Sequence, residues 1–234
     1  MKRRTASAPI RWSPAAVAAL LFVVFSLAAW GHKPLSIDAG PYPDPAHALP
    51  VEEIDVSQVV YGELTAAAPT LWLSLEGKAG DPLHLSLGVP VIDRLRAFRP
   101  ALALVGPGLP AASVPFAVPE GLGVSILTPD SEPAFFPEPF TGTDSWILRD
   151  ADLPLPVTGR YYVVAYSPIQ EAGKLWVAIG TREAFGFKDF LTLPSVARDV
   201  RAFHEVAGLP RWLEGVRLSF LSLFVLTTWW FVAR

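Results

Sequence analysis

The chain has 234 residues, no cysteine and a formal net charge of −3, and 51% of its residues are hydrophobic. This length fits one domain with additions or two small domains. The lack of cysteine excludes disulfides, thiol chemistry and cysteine-based metal sites. From His32 to Arg211 there are 21 acidic and 13 basic residues. An acidic body of this kind has no basic surface for binding nucleic acid.

The N-terminal segment, residues 1–31, carries a targeting pattern. Lys2, Arg3, Arg4 and Arg11 precede an apolar run without charged residues over residues 15–30. Basic residues ahead of such a run stay in the cytoplasm, so the pattern predicts that the rest of the chain is exported. The segment is either a signal peptide cleaved after Gly31 or an uncleaved membrane anchor.

Residues 32–55 follow as a Pro-rich leader. Pro, Gly, Asp and Ala are so frequent in residues 32–50 that we expect no regular structure there. The leader is predicted to be extended and either packed against the domain or exposed as a short stalk.

Residues 56–180 contain the strand signals, which are short alternating runs separated by turn residues. They are residues 57–64, 71–76, 82–87, 101–105 and 145–148. In the second and third runs the leucines point inward by period two, and His84 therefore points outward. These leucines are Leu71, Leu73, Leu75, Leu83, Leu85 and Leu87.

Residues 158–180 are predicted to form a central hairpin of two strands joined by a polar loop. Tyr161, Val163 and Ala165 would occupy one face of the first strand. Its other face is also apolar, so both faces are expected to be covered.

A long loop is predicted over residues 109–143, which are rich in proline and aromatic residues. Phe135, Phe136 and Phe140 lie close together there. Such a loop either packs over the edge of the sandwich or forms a binding site together with Trp146.

Residues 181–215 are predicted to be a connector with an amphipathic helix over residues 194–207. Val196, Val200, Phe203 and Ala207 follow the helical period. Gly208 is the expected cap. The helix would dock on the sandwich or lie at a membrane surface.

Residues 216–234 are predicted to be a C-terminal transmembrane segment. Their apolar run, residues 218–233, is short for a bilayer span of about 20 residues. Trp229 and Trp230 suit a membrane interface, and Arg234 would end near the cytoplasm. The prediction places the protein in the cell membrane, with its main domain on the extracytoplasmic side.

The order of these strands resembles the bacterial pre-peptidase C-terminal domain over residues 56–180. Its most specific motif is Gly159-Arg160-Tyr161-Tyr162 within LPLPVTGRYYVVAY, which is similar to that family's signature. The whole layout also resembles that of membrane-anchored bacterial proteins. The resemblance implies an all-β, jelly-roll-like antiparallel β-sandwich that is secreted, non-catalytic and accessory to other domains. The full prediction adds the C-terminal amphipathic helix and a hydrophobic helix at each end of the chain.

Sequence motifs for catalysis are missing, so no enzyme activity and no cofactor are predicted. There is no Gly-x-Ser-x-Gly elbow, phosphate-binding glycine loop or His-Glu-x-x-His motif. His204 and Glu205 lack the second histidine of that last motif, which favours placement on the polar face of the helix. Asp130, Glu132 and their acidic neighbours fit no calcium-loop spacing, which favours a solvated acidic rim.

Copper binding is an alternative that depends on His32. Cleavage after Gly31 would make His32 the mature N-terminus, whose amine and imidazole chelate copper together. A second imidazole from His47, His84 or His204 would complete three nitrogen ligands.

The function predicted from these features is that of a membrane-anchored binding or assembly module without catalytic activity. The expected partner, besides the membrane, is another membrane or cell-surface protein or a saccharide. A second alternative is a structural subunit of a membrane complex, in which the helix and the C-terminal tail contact another protein.

Overall fold

The structure, a computed structural model, describes residues 33–37, 40–184, 187–208 and 210. These residues contain eleven strands, one α-helix and two short 3-10 helices. The strands are β1 (Lys33–Ser36), β2 (Leu49–Val51), β3 (Gln58–Leu64), β4 (Thr70–Gly77), β5 (Pro82–Pro90), β6 (Ala101–Gly106), β7 (Gly123–Leu127), β8 (Ala134–Glu138), β9 (Thr143–Pro154), β10 (Gly159–Tyr166) and β11 (Gly173–Ile179). The helix is α1 (Phe187–Phe203), and the 3-10 helices are Pro45–His47 and Asp93–Leu95.

The strands form two sheets. The six-stranded sheet has the order β1-β3-β11-β5-β9-β8, and the five-stranded sheet has the order β2-β4-β10-β6-β7. Among the described strands, β1 pairs with β3 and β2 with β4 in parallel, whereas the other pairs are antiparallel. The prediction of an all-β sandwich is confirmed, but both sheets are mixed because of these two parallel pairs.

The core lies between the sheets and is built mainly from leucine and valine. All six leucines predicted to point inward from β4 and β5 are at most 4% exposed and belong to one cluster. His84, between two of them, lies on the opposite face as predicted. The alternation therefore identified the core face of these two strands correctly.

The predicted hairpin of β10 and β11 is wrong, because the two strands lie in different sheets. β10 pairs with β4 and β6, and β11 pairs with β3 and β5. The connection, residues 167–172, therefore crosses from one sheet to the other. Both faces of β10 are buried, as predicted: Tyr161 lies in the main core, and Tyr166 packs under Phe116 on the outer face.

The predicted absence of regular structure in the leader is also wrong. β1 and β2 lie in it, and they add to the edge strands β3 and β4 of opposite sheets. A strand of three or four residues gains its stability from pairing with an existing edge more than from its own residue preferences. The sandwich consequently starts before Val56, at Lys33.

The predicted long loop over residues 109–143 is wrong in part, because it contains β7 and β8. Each is the edge strand of its sheet. Residues between β6 and β7, among them Val114, Phe116 and Val118, cover Trp72 on the outer face of the five-stranded sheet. This part of the segment packs over the sandwich as the prediction allowed.

Tyr161 is fully buried and connects β10 to two turns. Its hydroxyl oxygen lies 2.6 Å from the carbonyl oxygen of Val157 and 3.1 Å from that of Pro107, and it accepts a hydrogen bond from the Val157 amide at 3.2 Å. A Cβ atom at Gly106 would lie 2.0 Å from the Tyr161 ring. Glycine is therefore required there by the close approach of the ring.

The helix α1 starts earlier and ends earlier than predicted. It docks on the sandwich, one of the two predicted positions, and its buried face contains Leu193, Ala197 and Val200. Ala207 lies beyond the helix and is exposed. The helix is capped at Glu205 and not at Gly208. Glu205 has a φ of 59°, and its backbone amide donates a hydrogen bond to the Ala202 carbonyl. The amide of the next residue donates to the Arg201 carbonyl. This is the Schellman pattern with a non-glycine residue.

The predicted hydrophobic segments at the two ends of the chain lie outside the described residues. In the part of the chain that the structure covers, no helix has both the length and the apolar composition needed to cross a bilayer.

Candidate functional site

The four aromatic residues predicted to form a binding site divide between two faces of the sheet. Phe135 on β8 is paired in register with Trp146 on β9, and their rings make an edge-to-face contact with centroids 5.3 Å apart. Phe136 is paired with Ser145 and points to the opposite face. Phe140 lies in the following turn, where its amide bonds to Glu138. Only the first pair forms a possible contact surface.

Phe135 is the exposed member of this pair, with 53% of the residue accessible to solvent. Trp146 is partly buried and packs against the main core. Ala134 and Pro137 on the same strand are also exposed. Because β8 is an edge strand, it is accessible to another molecule, but Pro137 has no amide hydrogen and interrupts any ladder that an added strand would need. A partner would therefore bind here through side-chain contacts.

The histidines predicted as metal ligands are separated. His47 lies in the exposed 3-10 helix before β2, with Nδ1 2.8 Å from Asp44. His84 lies on the outer face of β5, with Nδ1 3.0 Å from Asp152. Within the residues that the structure describes, no three histidine or acidic side chains are grouped so that they could hold a metal ion. His32 lies outside the described residues.

His204 is buried under the helix, whereas its predicted position was on the polar face. It is 5% exposed and packs against Tyr61 of β3. Its Nδ1 lies 2.9 Å from the Val200 carbonyl oxygen, and its Nε2 lies 3.1 Å from the Ser145 hydroxyl. The hydroxyl also accepts a hydrogen bond from Trp176 Nε1 at 3.0 Å. Both ring nitrogens are therefore occupied, and neither is available to copper.

The Ser145–His204 contact has the distance of a nucleophile and its base, but it is closed to substrate. Ser145 is 4% exposed and lies under the helix. A reacting atom would need access to the hydroxyl and a nearby oxyanion donor. The burial favours a structural role for the pair.

Arg201 is a second buried polar residue on the same helix face, at 7% exposure. Its guanidinium donates hydrogen bonds to four backbone carbonyls. They belong to Thr141, Gly142, Ala207 and Gly208, at distances of 2.8, 3.1, 2.7 and 2.9 Å respectively. Arg201 thus joins the end of α1 to the turn between β8 and β9.

Ion pairs fix the cap at Glu205. Its carboxylate binds Arg94 with oxygen–nitrogen distances of 2.7 and 2.5 Å, and Lys174 at 2.9 Å. The hydrogen bonds from Arg94, followed by those from Lys174, lower the pKa of Glu205 to about 2. These contacts connect the loop after β5 and strand β11 to the end of the helix.

A cleft of about 440 Å³ separates the C-terminal half of α1 from β3 and β11. Tyr61 and Phe203 make an edge-to-face contact in its wall, with ring centroids 5.1 Å apart. Glu63, Lys174 and Asp199 also line it. Burial raises the pKa of Tyr61, so its hydroxyl stays protonated at neutral pH. Two carboxylates and one ammonium line the cleft, and this charge pattern does not identify one class of ligand.

Sequence reasoning did not select Arg201. It placed His204 on the polar face of the helix or, in the copper alternative, at a metal site, because charged and imidazole groups favour water. One signal was present: residues 193, 197, 200, 201 and 204 follow the spacing of a single helical face.

Comparisons with known proteins give matches of low identity and low TM-score. No family model matches the chain, and no curated protein matches it. Three of the solved structures that match are the following. Aeromonas hydrophila PliG, a periplasmic inhibitor of g-type lysozyme, is 16% identical and has a TM-score of 0.32, covering 65% of this chain and 100% of that chain. The pre-peptidase C-terminal domain of a Bacillus anthracis collagenase is 9% identical and has a TM-score of 0.30. The match covers 56% of this chain and 91% of that chain.

The third similar structure is MopE, a copper-binding secreted protein of Methylococcus capsulatus. It is 12% identical, has a TM-score of 0.28, and covers 65% of this chain and 100% of that chain. The predicted resemblance to pre-peptidase C-terminal domains is therefore matched by a structural neighbour and by no family model. Identities and TM-scores this low support no argument about ligand or activity.

Proposed function

We propose that this protein is a non-catalytic binding module on the extracytoplasmic side of a cell membrane, held there by its apolar terminal segments. The basic residues before the first apolar run support export of the domain. The partner is another membrane or cell-surface protein. It contacts the surface around Phe135, which we call the β8 surface and define as Phe135, Pro137 and Trp146.

The observation that carries this proposal is the exposure of Phe135 on an edge strand. A phenylalanine at 53% exposure loses the stabilisation that burial would give it. Its edge-to-face contact with Trp146 holds the ring in place, so little side-chain entropy remains to be lost on binding. Rigid aromatic residues of this kind are frequent at the centres of protein interfaces.

The helix is a weaker candidate for the contact with a partner. Its buried face, including Ala197, Val200 and His204, already packs on the six-stranded sheet of the same chain. A structural subunit that binds through this face would first have to release it. The β8 surface needs no such rearrangement.

A single engineered cysteine tests both parts of the proposal, because the natural chain has none. In cells that express the full chain with Phe135→Cys, we expect labelling by a membrane-impermeant maleimide without permeabilisation. A benzophenone maleimide attached to the same cysteine should then cross-link one specific protein. The matched control is Val157→Cys at a position that is 43% exposed and lies before β10.

The control cysteine should be labelled from outside and should not give that cross-link. Labelling of both variants only after permeabilisation would contradict the extracytoplasmic location. Labelling from outside with no cross-link, or with the same cross-link from both positions, would contradict binding at the β8 surface.

A further inference from the structure

We propose that the C-terminal half of α1 is held on the six-stranded sheet by a hydrogen-bond chain that needs a neutral His204, so that acidification releases it. This inference concerns a regulatory change and is independent of the proposed β8 surface. It depends on the atoms that connect β9, β11 and α1.

The direction of each hydrogen bond in the chain follows from the groups present. The carbonyl oxygen of Val200 can only accept, so Nδ1 of His204 must carry a proton. Trp176 Nε1 can only donate, so the Ser145 oxygen accepts from it. The remaining Ser145 proton is then donated to Nε2 of His204. In this series of hydrogen bonds every donor of Trp176, Ser145 and His204 has an acceptor.

A second proton on His204 breaks this arrangement. Nε2 becomes a donor and faces the Ser145 hydroxyl, which already receives the hydrogen bond from Trp176. The hydroxyl would have to rotate its own proton away, into a region where it is 4% exposed. A buried charge and an unpaired hydroxyl both cost free energy, and undocking the helix removes both costs by returning the imidazole to water.

The surrounding charges do not compensate for this cost. From β11, the ammonium of Lys174 disfavours an imidazolium, and from β9 the carboxylate of Asp144 favours it. Tyr61 of β3 is uncharged at these pH values. Two charged residues lie near His204 in the sequence: the cation Arg201, and Glu205, whose carboxylate is paired with Lys174. Burial is the largest effect, and together they lower the pKa of His204 below its usual value.

The sign of the pH effect follows from this lowered pKa. A histidine that titrates lower in the docked state than in the free state favours docking at pH values above the free value of about 6.5. Docking weakens as the pH falls below that value. Release would expose the apolar outer face beneath the helix, which includes Val59, Trp176 and Ala178.

Hydrogen exchange of the full chain in detergent at pH 7.5 and pH 5.0 tests the release. After correction for intrinsic exchange rates, we expect protection in residues 195–204 to fall at the lower pH. The loss approaches tenfold for each pH unit between the free value of about 6.5 and either pH 5.0 or the docked-state pKa, whichever is higher, so it is at most about 30-fold at pH 5.0. Protection in β10 should stay unchanged. Equal protection of the helix at both pH values would overturn the proposal.

The matched variant is His204→Gln, whose amide oxygen accepts from Ser145 and does not titrate. Its helix protection should not depend on pH over this range, and a loss as large as in the natural chain would overturn the proposal. If this variant does not fold, an NMR titration of His204 in the natural chain decides. Its midpoint must lie below 6.5, and helix protection must fall between pH 6.5 and that midpoint; a midpoint at or above 6.5, or protection that stays constant over this range, contradicts the mechanism.

Discussion

Replacement of Tyr161 by alanine is expected to lower the free energy of unfolding by about 3–5 kcal/mol, the range for removing a large aromatic side chain from a core. The ring is fully buried between the sheets and lies against Gly106. Its loss leaves a cavity that two rigid sheets cannot close. Urea unfolding of the described domain, followed by circular dichroism, measures the effect.

The variant Tyr161→Phe separates the ring from its hydroxyl. It keeps the packing and removes the contacts with Val157 and Pro107, so we expect a loss of about 1–3 kcal/mol. A Tyr161→Phe loss as large as that of alanine would mean that the hydroxyl, and not the filled volume, dominates the contribution of this residue.

Replacement of Arg201 by methionine is expected to destabilise the docked helix by about 1–3 kcal/mol, because it leaves the buried Thr141 carbonyl and three partly buried carbonyls without their donor. Methionine keeps the apolar stem of the side chain, so the effect reports the guanidinium. Arg201→Lys should recover only part of the loss, since one ammonium cannot reach four carbonyls arranged around a planar group. Urea unfolding and the rate of proteolysis within α1 measure the change.

The control for this prediction is Arg198→Met on the same helix. Arg198 is exposed, and its contact is a 3.4 Å approach to the neighbouring Asp199. Exposed pairs of this kind contribute little, so we expect stability within about 0.5 kcal/mol of the natural chain. Equal losses in the two variants would contradict a special role for Arg201.

The strands with clean alternation could be predicted from sequence, and the connections between them could not. The leucines of β4 and β5 identify a core face because period two admits one arrangement of side chains. The same pattern is satisfied whether β10 and β11 pair with each other or lie in opposite sheets. A six-residue connection permits either a hairpin or a crossing between sheets. Which of the two forms depends on pairing with β4 and β6 for β10, and with β3 and β5 for β11.

Short strands at the edges were missed for a related reason. β1, β2 and β8 contain proline and have few β-branched residues, so their sequences favour irregular structure. An edge strand needs hydrogen bonds on one side only, and it can accept a proline where its amide would face outward. Their formation depends on neighbours that lie far away in the sequence.

The candidate site was predictable in part. Sequence reasoning grouped the aromatic residues around Phe135, but the alternation of β8 places Phe136 on the other face. The burial of His204 and Arg201 was not predicted because it depends on hydrogen-bonding partners in β9 and in the turn before it. A single sequence does not show such partners.

The crossing between β10 and β11 also bears on how the domain folds. These strands are inner members of different sheets and are separated by only six residues. When β10 is in place in its sheet, the short connection holds β11 close to its position in the other sheet. The entropy lost in closing such a short loop is small. We expect the two sheets to assemble and melt together in a single transition, with tryptophan fluorescence and circular dichroism giving the same midpoint.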